Sequence, residues 1–223
     1  MKRSTTIAMS IVTIAFLFGG CGAKQNPQPV EYTETITLLP RSAKAGADAM
    51  QAFAQRSSAV GETIKGEPFT LQDLSDLLWA TYGVNRPEVQ KLTAPTSMNS
   101  QEASIYAIFQ QGAYLYSPAA HALQRVSSND LRAPVTANQP EMGQAPLILL
   151  VVGHTDRLKA GDEAMRKFSA SIDGGIISQN ISLFCAAKGW KTRPRTSMDR
   201  SAIAQELNLD SSALIIINHP ISY

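Results

Sequence analysis

The chain has 223 residues, of which 44% are hydrophobic, and its 20 basic and 18 acidic residues give a formal net charge of +2. This length suffices for one domain with a substantial core and is short for two. Both excess basic residues lie within residues 1–20, so the rest of the chain is neutral (18 basic minus 18 acidic). Neither its net charge nor a run of basic residues interleaved with aromatics indicates a nucleic-acid partner.

The N-terminus has the pattern of an export signal. Two basic residues precede an apolar run from Ile7 to Phe18, and two glycines then lead to Cys21. The run is short for a membrane span and ends in small residues before a cysteine, which predicts a lipoprotein signal over residues 1–20. Cys21 would then carry the lipid, residues 21–40 would form a tether, and the protein would be anchored in the cell envelope, on the periplasmic or outer-membrane side. Ordinary secretion and an uncleaved anchor are the alternatives.

Cysteine and histidine usage argues against a disulfide and against a metal site. Cys185 is the second of two cysteines, and its apolar neighbours predict a buried thiol. The three histidines, at His121, His154 and His219, form no pair at helical spacing and have no second cysteine beside them, so the sequence does not favour a zinc site.

The predicted domain covers residues 41–223 and opens with two helices. Apolar residues at helical spacing predict the first over residues 42–55. Thr70, with Asp73 three residues later, has the character of an N-cap for a second, leucine-rich helix that Gly83 ends.

Strand patterns follow. Apolar runs separated by turns between Ser104 and Val126 predict an antiparallel meander. The continuous apolar run Leu147–Val152 predicts a central strand that is buried on both faces. The remaining predicted elements are three helices and a last strand, at residues 160–170, 172–188, 197–207 and 214–218. This order predicts an α+β fold in which an antiparallel sheet packs against helices.

The predicted helix over residues 172–188 is apolar on nearly every side. Such a helix lies either at the centre of one core or in a contact between subunits. In a domain of this size the subunit contact is a credible alternative.

Two motifs resemble one known family. Residues 71–87 read LQDLSDLLWATYGVNRP, and residues 93–101 read TAPTSMNSQ. Together they resemble the FMN-dependent nitroreductase family, in particular its lipoprotein and SagB-type dehydrogenase-like branch, from about Phe53 to the C-terminus. The resemblance implies a nitroreductase-like sandwich, an intertwined homodimer with flavin sites at its interface, and FMN as cofactor.

The resemblance also implies a phosphate-binding segment. Arg56, Ser57 and Ser58 stand where relatives place basic and hydroxyl groups against the FMN phosphate. A guanidinium can bind phosphate through two hydrogen bonds, and a hydroxyl adds a further donor. In an alternative alignment Gln55 takes the first position of this motif.

Two further segments would surround the flavin ring. In nitroreductases the asparagine that matches Asn99 contacts the ring, and Thr96, Ser97 and Gln101 are polar candidates beside it. After the long helix, Arg195 or Thr196 would present the backbone donor that faces flavin N5. The stretch Asp173–Asn180, DGGIISQN, resembles a helix start of the family, where glycines allow close approach of a ligand or of a packed neighbour.

The chain departs from the family pattern at several positions. Val60 and Leu92 stand where relatives have basic residues. Two expected glycines are also missing, one at the end of the loop after Gly189, where Arg195 or Thr196 stands, and one in the C-terminal segment Ile221–Tyr223. These departures leave the fold prediction unchanged and bear on how firmly FMN is held.

Two functions from different classes follow. The first is an exported, lipid-anchored flavoenzyme that passes electrons from a reduced donor, such as NAD(P)H, through FMN to a nitro compound, quinone or similar small molecule. The second is a nitroreductase-fold envelope lipoprotein that has lost FMN and acts as a binding or structural protein. A hydrolase has little support because the sequence has no G-x-S-x-G motif.

Overall fold

The computed structural model describes residues 27–223. The predicted signal over residues 1–20 and the predicted lipidation site at Cys21 therefore lie outside the described residues. Within the described part of the chain, no helix combines the length and the apolar character needed to cross a membrane.

The described residues form nine strands and six α-helices. The strands are β1 (Thr35–Thr37), β2 (Val84–Arg86), β3 (Lys91–Leu92), β4 (Ala103–Phe109), β5 (Gly112–Ser117), β6 (Ala122–Ser127), β7 (Leu147–His154), β8 (Lys191–Thr192) and β9 (Ala213–Ser222). The α-helices are α1 (Ala49–Gln55), α2 (Leu71–Tyr82), α3 (Arg132–Val135), α4 (Pro140–Gly143), α5 (Glu163–Lys188) and α6 (Arg200–Glu206).

One antiparallel sheet organises the fold, with the strand order β1-β6-β5-β4-β7-β9-β8. Strands β4, β5 and β6 form the predicted meander. Strand β7 lies between β4 and β9, and its residues 147–153 are all buried, which confirms the predicted central strand.

Helices cover both faces of this sheet. On one face α2 and α5 pack over a core that includes Leu74, Ile105, Val151 and Ile177. On the other face a second core is closed by the short helices α3, α4 and α6. The predicted α+β sandwich of an antiparallel sheet and helices is therefore confirmed.

Helix α2 shows why its sequence is helical. The Thr70 side chain accepts a hydrogen bond from the Asp73 backbone N–H, and the Thr70 hydroxyl donates to the Asp73 carboxylate at 2.9 Å. Leu74, Leu77 and Leu78 then turn the same face to the sheet, each with no exposed surface. The predicted N-cap and the predicted apolar face are both confirmed.

Two predicted helices turn out to be one. The sequence predicts separate helices over residues 160–170 and 172–188, whereas α5 runs without a break through 26 residues. Asp162 caps its start and Gly189, at φ 71°, ends it in the left-handed conformation. The DGGIISQN stretch therefore lies in the middle of a helix and does not begin one.

The packed part of the chain begins before residue 41, which corrects the predicted tether over residues 21–40. Strand β1 pairs with β6 at the edge of the sheet, and Ile36 and Leu38 are buried. The Leu71 N–H donates to the Gln28 carbonyl at 2.8 Å, so even this early segment is bound to the domain.

Candidate functional site

Helix α5 is the element to which the predicted site segments connect. The loop of residues 96–101 contacts the middle of α5, and α1, which ends at the Arg56 segment, packs along its C-terminal half. The Arg195–Thr196 segment follows α5 after strand β8.

The 96–101 loop is held at both ends. The Ser97 backbone N–H donates to the Asp173 carboxylate on α5, with a nitrogen–oxygen distance of 2.7 Å. The Gln101 N–H donates to the Thr96 hydroxyl at 2.9 Å, and the Gln101 side-chain amide donates to the Gln90 carbonyl at 2.7 Å. Between these anchors the Asn99 side chain is exposed and available to a ligand.

The backbone of this loop is strained. Met98, Asn99 and Gln101 have φ angles of 51°, 53° and 49°, in the left-handed region that residues other than glycine seldom adopt. Such strain persists where surrounding contacts impose it, and it is common at ligand-binding loops.

The Arg56 segment lies at the exposed end of α1. Its backbone is fixed because the Arg56 N–H donates to the Ala52 carbonyl at 2.9 Å and the Ala59 N–H donates to the Thr192 carbonyl at 3.0 Å. The Arg56, Ser57 and Ser58 side chains are exposed. The structure therefore places these three residues beside strand β8, with side chains free to turn toward an anion.

Arg195 is buried, with 7% of its surface exposed. Its Nη2 atom donates to the Gln139 side-chain oxygen at 2.6 Å and to the Thr136 carbonyl at 3.3 Å, and its backbone pairs with Asn218. The Nη1 atom is buried without a hydrogen-bond partner among the described residues. Burial, and then the neighbouring Arg193, lower the pKa of Arg195.

Thr196 is exposed and lines a cavity of about 380 Å³. Ser171 and Gly175 on α5 and residues 214–217 of β9 form its other walls, with Arg200. A methyl group added at Gly175 would meet no atom within 4 Å, so the helix backbone is open to this space. The volume lies within the range of small-molecule sites.

The predicted residues fall into two groups. The segment with Arg56 and the segment with Arg195 both connect to β8, whereas the 96–101 loop lies on Asp173. Residues 173 and 175 project from a helix about 200° apart, so the loop and the cavity beside Gly175 lie on different sides of α5. Among the described residues that line the cavity beside Gly175, Thr196 is present, but no residue of the 96–101 loop or of the Arg56 segment is.

Two features of this region were missed from the sequence. The turn that holds Arg195 has Ala137 and Asn138 in the left-handed region, at φ 53° and 56°. An Asn followed closely by a proline, in Asn138-Gln139-Pro140, is a turn signal that could have located it. The other feature is Glu102, a carboxyl buried at the start of β4.

Three comparisons with known proteins agree. A model of the nitroreductase family matches residues 63–219. A candidate nitroreductase of Methanocaldococcus jannaschii, MJ1384, is 26% identical over 136 residues, which cover 56% of this chain and 67% of that protein.

Solved structures show the same architecture. The crystal structure of a candidate nitroreductase from Ralstonia eutropha JMP134 superposes with a TM-score of 0.79 at 29% identity, covering 88% of this chain and 93% of the other. A candidate NAD(P)H:FMN oxidoreductase of Staphylococcus epidermidis superposes with a TM-score of 0.57 at 15% identity, covering 82% of this chain and 88% of the other, and supports the fold alone.

Proposed function

The chain belongs to the nitroreductase family, and from this premise we propose that it is an FMN-dependent oxidoreductase. The flavin would supply the electron transfer, from a reduced donor such as NAD(P)H to a nitro compound, quinone or similar small acceptor. The residues of this chain would bind the phosphate, orient the ring and exclude water.

The positive charge beside β8 carries the proposal. Arg195 is buried, and among the described residues its Nη1 atom has no hydrogen-bond partner, while the nearby Glu141 carboxylate forms no ion pair with it. A buried cation of this kind is costly unless an anion joins it. We assign binding of the FMN phosphate to the side chains of Arg56, Ser57 and Ser58. The buried guanidinium of Arg195 would add positive charge to this site.

The ring contacts come from the other segments. The exposed Asn99 side chain, with Thr96, Ser97 and Gln101, would contact the ring from a loop that α5 holds in a strained conformation. Thr196, which lines the cavity of about 380 Å³, would present its backbone N–H near flavin N5. These two sets lie on different sides of α5, so a ring that touches both requires a second subunit.

A homodimer would supply that subunit. Met165, Phe168, Ile172 and Ile176 of α5 have 54%, 62%, 48% and 36% of their surface exposed, and their spacing places them on the helix side away from the sheet. Contiguous exposed apolar surface of this kind marks an interaction site. We propose that this stripe pairs with a second copy, whose 96–101 loop completes the flavin site.

The cofactor-free alternative has a specific observation in its favour. Val60, where relatives have a basic residue, is 67% exposed and contributes no charge, and Leu92 is a buried apolar residue. A hydrogen bond to a charged group contributes about 1.5–3 kcal/mol, so two lost basic partners weaken binding by roughly two orders of magnitude or more. We therefore expect weaker FMN binding than in relatives that keep both basic residues.

Titration with FMN, followed by flavin fluorescence, tests the proposal. Arg56→Ala should weaken binding about tenfold or more, because it removes a charged hydrogen bond to phosphate. Arg86→Ala removes an exposed arginine of β2 and serves as the matched control.

Two outcomes would contradict parts of this proposal. No saturable binding at concentrations on the order of tens of micromolar would reject the flavoenzyme and favour the cofactor-free binding protein. Unchanged affinity in Arg56→Ala, with binding intact, would show that the phosphate motif is aligned incorrectly and would redirect attention to Gln55.

Location in the cell envelope is a separate proposal. It rests on the sequence before and at Cys21. Intact mass of the protein from membranes should show a lipid on Cys21, and unchanged processing and membrane association in Cys21→Ala would reject the anchor.

A further inference from the structure

Two carboxyl groups face each other beneath the 96–101 loop. Glu102, at the start of β4, has none of its surface exposed, and Asp173, in the middle of α5, has 4% exposed. Among the described residues no N–H or hydroxyl group donates to either oxygen of the Glu102 carboxyl, and the group that it contacts is the Asp173 carboxyl. No lysine or arginine of the described chain forms an ion pair with either group.

The surroundings of Glu102 do not neutralise two negative charges. Tyr82 from α2 and Asp173 from α5 face it, and the buried Tyr82 hydroxyl has no hydrogen-bond partner in residues 27–223. Arg157, from the turn after β7, approaches with an exposed side chain. His154, which begins that turn, donates its backbone N–H to the Glu102 carbonyl at 3.0 Å. Two adjacent buried carboxyls with one exposed cation nearby cannot both ionise at low cost.

One of the two carboxyls must act as a hydrogen-bond acceptor. The Asp173 carboxylate accepts the Ser97 N–H at 2.7 Å, a distance typical of a charge-assisted hydrogen bond. This bond fixes the first residue of a segment whose next residues are held in the left-handed region. The proton of the pair therefore belongs on Glu102.

We propose that Glu102 and Asp173 form a positioning pair for the 96–101 loop, in which protonated Glu102 allows Asp173 to remain ionised and hold Ser97. The link from loop position to flavin affinity rests on the proposed function; the link from Glu102 to Ser97 does not.

The pair makes the loop sensitive to pH. Burial first, and the neighbouring Asp173 carboxylate second, raise the pKa of Glu102 to about 7. When Glu102 releases its proton to water at higher pH, two negative charges oppose each other behind the loop. The charge repulsion is relieved when the loop moves away and solvent enters, so the Ser97–Asp173 bond should weaken as the pH rises through 7.

The first measurement needs no cofactor. The Ser97 amide resonance, followed by NMR in the full chain between about pH 5.5 and 8.5, should titrate with a midpoint near 7. Glu102→Gln, which mimics the protonated carboxyl, should abolish this titration. Asp173→Asn should shift it to lower pH while its side-chain oxygen still accepts the Ser97 N–H. Glu88→Gln, at an exposed carboxyl of the β2–β3 turn, should leave it unchanged.

The second measurement is FMN affinity. If the loop binds flavin only when Glu102 is protonated, affinity should be about tenfold weaker at pH 8 than at pH 6, and Glu102→Gln should give a flat profile with the affinity of the low-pH form. Equal pH profiles of the native protein and Glu102→Gln would overturn the proposal.

Failure of the two ideas can be distinguished. If FMN binds to none of the proteins, the proposed function fails, and the Ser97 titration still decides the pair. If Glu102→Gln does not fold, the native protein and Asp173→Asn decide it, because identical Ser97 midpoints in these two would reject the coupling.

Discussion

Replacing His219 by glutamine should remove a loss of stability that the native protein suffers in acid. The imidazole of His219 is fully buried between α5 and β8. Its Nε2 lies 2.8 Å from the Ser178 hydroxyl, and its Nδ1 lies 3.3 Å from the Thr192 hydroxyl. Burial lowers the pKa of His219 to about 3, so the folded protein keeps this group neutral at pH values where the unfolded chain binds a proton.

The magnitude follows from proton linkage. An unfolded-state pKa of about 6.5 and a folded value of about 3 mean that the contribution of His219 is fully present above 6.5 and is lost as the pH falls toward 3. Between pH 7 and pH 5 the loss is on the order of 2 kcal/mol in the free energy of unfolding. Glu102 acts oppositely, because its raised pKa gives the folded state the extra proton between about 4.5 and 7.

Urea unfolding at both pH values, in the native protein and in His219→Gln, separates these effects. The Glu102 contribution is common to both proteins, so the difference between them should change by about 2 kcal/mol from pH 7 to pH 5. His121→Gln is the control, since His121 is half-buried and bonded to Tyr116, and its effect should be smaller. A pH-independent difference between the native protein and His219→Gln would show that protonation of His219 does not cause the loss of stability in acid.

Two further predictions concern α5. Gly174→Ala should be about 1–3 kcal/mol less stable than Gly175→Ala in urea unfolding. A methyl group at residue 174 would lie 2.8 Å from Ile216 Cδ1, whereas one at residue 175 would meet no atom within 4 Å, and both variants gain the same helix propensity. Equal stabilities of the two variants would contradict this packing of Gly174 against Ile216. Ile172→Glu should convert a dimer to a monomer in light scattering, with Ser128→Glu as an exposed control, and a native protein that is already monomeric at micromolar concentration would reject the proposed interface.

Sequence patterns predicted an element correctly where the residues of that element alone determine its structure. The continuous apolar runs of β4 and β7 predict strands because both faces of these two strands are buried by neighbours, and the alternating pattern of β6 fits a strand with one face more exposed. The prediction of two helices in place of α5 was wrong because the charged and small residues around 160–170 resemble a separate surface helix. Only the packed structure shows that no helix-breaking residue interrupts the backbone there. Strands β1 and β8 are two or three residues long, and only their partners make them strands.

The candidate site likewise has parts that the sequence could predict and parts that it could not. The 96–101 loop could be identified because its motif is contiguous. The burial of Arg195 could not, since it depends on Gln139, 56 residues earlier in the chain. The pairing of Glu102 with Asp173 likewise exists only after β4 and α5 have packed.

The unbroken α5 helix also limits how this protein can change in evolution. Its 26 residues span about 39 Å, and the Ser97 loop, α1 and the segment leading to Arg195 are each attached at a different level of this rod. One inserted residue near Gln179 would turn everything beyond it by about 100° and displace it by about 1.5 Å. Surface loops can absorb insertions of several residues, whereas the number of residues between Asp173 and Gly189 must stay constant. Length variation among functional relatives should therefore accumulate outside this part of α5.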